Sequence, residues 1–80
     1  MTEHKADLRG IFVPETLFKL DIEMNGLEDG ENLLALIDDT ESEDWIIRWA
    51  HKHGHDVLTV EKVALGINVT IKKKGYIINE

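Results

Sequence analysis

Asp7-Leu-Arg-Gly-Ile-Phe-Val-Pro-Glu-Thr-Leu-Phe-Lys-Leu20 is the stretch whose reading decides the fold. An extended segment runs to Gly10, turns, and enters a helix at Pro14, the only proline in the chain. The proline φ suits a first helical position, and its missing N–H is one that a helix leaves unpaired there. The helix is therefore expected to start at Pro14, with Val13 as its N-cap. Glu15 falls in the first turn, where a carboxylate complements the positive end of the helix dipole. Leu17, Leu20, Met24 and Leu27 then form one apolar stripe. Valine is an unusual cap, because it has no side-chain acceptor for the orphan N–H groups. A helix start with open N–H groups, just behind Arg9 and Gly10, suits an anion or a thiolate.

Working outward, residues 1–5 read as a loose polar tail and Ala6 to Arg9 as a short strand, with Leu8 inward and Asp7 and Arg9 outward. Asn25-Gly26 is expected to stop the first helix in a left-handed turn. Leu33-Leu-Ala-Leu-Ile37 is a continuous apolar run of strand length, which places it inside a sheet. Asp38 to Asp44 then gathers five acids with Thr40 and Ser42, the charge a helix start favours. Trp45, Ile46, Trp49 and Ala50 give that second helix its core face, and Gly54 ends it. Val57 to Val63 and Ile67 to Ile71 are expected strands joined by a hairpin at Ala64-Leu-Gly66. Ile67, Val69 and Ile71 alternate inward against Asn68, Thr70 and Lys72. Lys72-Lys-Lys74 reads as the charged end of an edge strand. Tyr76-Ile-Ile78 is apolar, and residues 76–80 are set apart as a second tail. The resulting order is βαβαββ: an α+β two-layer sandwich of a four-stranded mixed sheet with two helices on one face, forming a single domain over residues 1–80.

Read end to end, this pattern resembles the TusA/SirA family of small sulfur-carrier proteins. In that family a short strand and a glycine lead into a Cys-Pro-x-Pro motif at the start of the first helix. Asp7-Leu-Arg-Gly10 corresponds to the entry strand, Pro14 to the first motif proline, and Asp38-Asp39 to the acidic pair after the second strand. Trp49 through Gly54-His55 corresponds to the second helix and its exit. The resemblance implies the two-layer fold and, in active members, a persulfide on the motif cysteine that passes between partner proteins, for example towards transfer-RNA thiolation. Here the motif reads Val13-Pro14-Glu15-Thr16, so valine replaces the cysteine and threonine the second proline. Valine cannot hold a persulfide.

The resemblance therefore implies a non-catalytic domain, an interaction or regulatory module whose partners include sulfurtransferase or desulfurase components. Arg9, Gly10, Phe12, Val13 and Glu15 are the candidate partner-binding residues, with Phe12 and Val13 as the apolar contact and Arg9 and Glu15 as opposite charges framing it. In a second reading Phe12 folds under as a hydrophobic staple. A scaffold for tRNA thiolation that uses a partner's cysteine, and histidine-based metal binding, are the alternative functions.

Composition narrows the remaining chemistry. The chain has no cysteine, which excludes disulfides and thiol catalysis within it. Nine Lys and Arg against sixteen Asp and Glu leave a net charge of −7, which opposes nucleic acid and anionic lipid. No apolar run has the length of a membrane span, and the opening residues carry no signal pattern, so the expected location is the cytoplasm. Ser42 sits among acids, poor surroundings for an oxyanion. His51, His53 and His55 place three imidazoles within five residues and are the candidate metal ligands. Gly54 interrupts the helix that would align His51 with His55, and histidines near a helix C-terminus are stabilised by its dipole without a metal. No metal and no cofactor is favoured.

Overall fold

The structure, a computed structural model, describes residues 3–74. Tyr76 to Ile78 lie outside the described residues. The elements are β1 (Glu3–Asp7), α1 (Glu15–Asn25), β2 (Asn32–Ile37), α2 (Thr40–Lys52), β3 (Asp56–Val63) and β4 (Gly66–Lys72), the expected βαβαββ order. The strands form one sheet in the order β1-β2-β4-β3, with β1 and β2 parallel and the other pairs antiparallel. The mixed four-stranded sheet and two-layer sandwich are as the sequence implied.

Alternation builds the core. Leu33, Ala35 and Ile37 of β2 stand opposite Ile71, Val69 and Ile67 of β4, and all six are buried on the face that the helices cover. Leu20, Met24 and Leu27 from the α1 stripe and Ile46 and Ala50 from α2 complete the cluster, with Leu17 and Trp49 half-buried at its margin. The run 33–37 is interior as read, but it is covered on one face only, since Leu34 and Leu36 are half-buried on the other. β1 starts earlier than expected, at Glu3, because Glu3 to Asp7 pair along β2. Leu8 lies beyond its end, is buried, and still donates its N–H to the Leu36 carbonyl. The hairpin closes through Ala64 and Leu65, with Gly66 already paired to Val63. A Cβ at Gly66 would collide with the Ile37 carbonyl oxygen, so only glycine lets β4 approach β2 there.

Both helix ends differ from expectation in instructive ways. α1 starts at Glu15, and Pro14, following a cis peptide bond, is the N-cap in place of Val13. The entry loop satisfies the helix start: the Thr16 hydroxyl donates to Ile11 O (3.0 Å), Thr16 N to Phe12 O and Leu17 N to Pro14 O. Gly26 has φ −82°, so no left-handed stop forms. Instead, Lys73 Nζ donates to Met24 O (3.0 Å) and Leu27 O (2.8 Å), closing the α1 exit from the far end of β4. In α2, Asp39 is the N-cap and accepts both the N–H and the hydroxyl of buried Ser42. Gly54, with φ +80°, ends the second helix as expected.

Two side-chain assignments are corrected. Trp45 is 41% exposed, because Ser42, Ile46 and Ala50 fill the narrow inner face of α2 and leave the indole at the rim. The triple-lysine segment does not protect an edge, because β4 is central and β1 and β3 are the edge strands.

Candidate functional site

At the entrance to α1, Gly10 with φ +79° turns the chain, and its N–H donates to Asp38 Oδ2 at 3.0 Å, tying the entry loop to the start of the second helix. Arg9 folds back on Asp7: Nε donates to Oδ1 at 2.8 Å and Nη2 to Oδ2 at 2.7 Å. That bidentate contact holds the Asp7 carboxyl down to about 2 and raises the Arg9 pKa in turn. The guanidinium is therefore engaged within its own strand exit, and Arg9 and Glu15 do not frame the loop as a pair of free opposite charges.

Ile11 packs against the core, whereas Phe12 is 67% exposed, so the staple is not formed by Phe12. Val13 is half-buried, Pro14 and Glu15 are exposed, and Thr16 is fully buried. The open N–H groups expected here are reduced by the turn, since those of Thr16 and Leu17 meet Phe12 and Pro14 carbonyls. The loop offers an exposed phenyl ring and a half-buried isopropyl group, with no thiol or thiolate.

α1 carries a feature that its inner stripe hid. Phe18 and Ile22, four residues apart, are 66% and 69% exposed on the side opposite Leu20 and Met24. The helix is thus apolar on two faces, where a single-layer surface helix needs one. The signal was present in the i, i+4 spacing of Phe18 and Ile22.

At the other end of the helices, His51, His53 and His55 border a cleft of about 520 Å³ together with Asp21, Lys73 and Lys74. The imidazoles of His53 and His55 flank Trp49, with ring centroids 5.0 and 5.5 Å from the indole. His55 Nδ1 accepts the Lys74 N–H at 3.2 Å. Burial pushes the His55 pKa down, and the nearby His53 and Lys73 push it the same way. Among the described residues, no three His, Asp or Glu side chains are arranged to hold a metal ion. His53 and His55 instead form an aromatic cluster with Trp49. No helix among the described residues is long and apolar enough to cross a membrane.

The described residues thus form a small βαβαββ sandwich in which a glycine turn feeds a helix capped by Pro14. The model of the family described as Sulfurtransferase TusA matches residues 4–73, and the chain belongs to that family. The family connects it with sulfur relay and with the proteins that act there. A comparison with curated proteins gave no match.

Proposed function

We propose that this chain is a thiol-free member of the TusA family that acts by protein contact, as a non-enzymatic interaction or regulatory module of sulfur relay in the cytoplasm. The observation that carries the reading is the replacement at the helix entry: Val13 stands where the family motif places cysteine, within a chain that contains no cysteine at all. Exposed Phe12 beside Val13 supports a contact role, because a two-thirds exposed phenyl ring contributes little to the fold and much to a desolvated interface. Gly10 and Arg9, bound to Asp38 and Asp7, hold the loop in one shape, which lowers the ordering cost of docking.

The test is an affinity capture from the host lysate with tagged protein beside a Val13→Asp variant, with both melts measured. The reading expects desulfurase, sulfurtransferase or tRNA-modifying components with the wild type alone, and closely similar melts. Loss of capture together with loss of folding would assign Val13 a purely structural role. Recovery of proteins outside sulfur metabolism would separate the chain from the relay.

A further inference from the structure

A second surface, lined by side chains other than those of the Val13 loop, has a chemistry of its own. Between α1 and α2 a pocket of about 190 Å³ is lined by Leu17, Trp45, Arg48, Trp49, Lys52 and His53. No carboxylate lines it, in a chain whose net charge is −7. Its floor is apolar, and its rim is cationic. The Arg48 guanidinium lies 5.4 Å from the Trp45 ring centroid, so the cation is already placed over the indole that forms the pocket edge. Among the described residues Arg48 pairs with one carboxylate, Asp44 at 3.4 Å, and both side chains are 66% exposed. An exposed pair of that kind is weak and readily exchanged for another carboxylate. Lys52 and His53 also border the 520 Å³ cleft, but Asp21 and Asp29 line that cleft, so an acidic occupant is better matched to the smaller pocket.

We infer that this pocket binds a short acidic peptide segment of a partner protein, which seats one large apolar or aromatic side chain against Leu17, Trp45 and Trp49 and sets its carboxylates on Arg48 and Lys52. The volume argues for a single side chain, since pockets for whole small molecules span roughly 300–1,000 Å³. Trp and Arg are the residue types that dominate binding energy in desolvated interface pockets. A polyanion such as RNA is opposed by the net charge of the whole chain, whereas a peptide with a few carboxylates interacts over the short range that the local cations dominate. The inference does not rest on the contact proposed at Val13.

The experiment uses the full chain and the probe acetyl-Asp-Glu-Phe-Asp-Glu-amide, followed by the fluorescence and the indole N–H resonances of Trp45 and Trp49, the two tryptophans of the chain. Binding should saturate, shift both indole signals, and weaken at least about tenfold in Arg48→Ala/Lys52→Ala, a double change at exposed positions that leaves the melt in place. Replacing the probe phenylalanine by serine should abolish it. The inference is overturned by no saturable change at millimolar probe, by equal binding of a probe with lysine in place of its acids, or by tighter binding of hexauridylate RNA.

Discussion

Replacing Lys73 by methionine isolates the one long-range contact that closes α1. The substitution keeps most of the aliphatic stem and removes the ammonium that donates to Met24 O at 3.0 Å and Leu27 O at 2.8 Å. Met24 O keeps a second partner, the Leu27 N–H at 3.1 Å, so the heavier loss falls on Leu27 O. A hydrogen bond to a charged group contributes about 1.5–3 kcal/mol net, and the half-buried setting of Lys73 places this one near the middle of that range. We expect Lys73→Met to destabilise the domain by about 2 kcal/mol, which for a chain of this size lowers the melting temperature by roughly 8–16 °C. The assay is urea and thermal unfolding followed by tryptophan fluorescence, with Lys72→Met as the control. Lys72 is exposed at the end of β4 and should change stability by no more than about 0.5 kcal/mol. A Lys73→Met protein no less stable than the Lys72→Met protein would refute the claim that this lysine serves as the C-terminal cap of α1.

Other residues allow equally direct checks. Arg9→Ala should return the Asp7 carboxyl from about 2 towards 3.8, read from its carboxyl resonance in a pH titration. Because the folded pKa of Asp7 is depressed, the stability it contributes is present above 3.8 and lost as pH falls through about 2, and the variant should keep only the smaller part of that acid limb that the backbone N–H of residue 9 supports. His55 has a folded pKa below its ordinary 6.5, so the fold favours the neutral ring, and stability should decline as pH drops below 6.5 and through the folded value. That decline should be smaller in His55→Asn, measured as melting temperature against pH. Ile46→Ala, at a fully buried site, should cost about 2–5 kcal/mol in denaturant unfolding, whereas Phe18→Ser should stay within about 0.5 kcal/mol.

Periodicity made most of the architecture legible before any coordinates. Ile67, Val69 and Ile71 alternate because β4 has one covered face, and the unbroken run 33–37 reflects a strand with neighbours on both edges. The Asp39 cap was foreshadowed by the acids ahead of Trp45, since a helix start selects carboxylates by both hydrogen bonding and dipole. What stayed hidden depends on partners distant in sequence. Lys73 meets Met24 and Leu27 across 49 and 46 positions, so a lysine read as edge protection is in fact a helix cap. Trp45 was misread for another reason: four apolar residues at helical spacing satisfy a stripe, but the inner face of α2 is wide enough only for Ser42, Ile46 and Ala50. At the candidate site the Arg9 ion pair depends on a side-chain conformation that a linear pattern does not encode.

The distribution of charge bears on what the loss of the motif cysteine entails. A thiolate at a helix start is favoured by free N–H groups and by nearby cations. Here the N–H groups of Thr16 and Leu17 bond to loop carbonyls, and the Arg9 guanidinium is bound by Asp7. Asp38 occupies the Gly10 N–H, and Glu15 adds another carboxylate. These contacts reduce both features at this helix start. The cations gather instead beside the tryptophans of α2, where Arg48 and Lys52 border a pocket without carboxylates. The apolar, acid-flanked loop and the cationic aromatic pocket between the helices are surfaces of opposite character. On the proposed reading, acidic protein is recognised along the helix face and not at the helix entry.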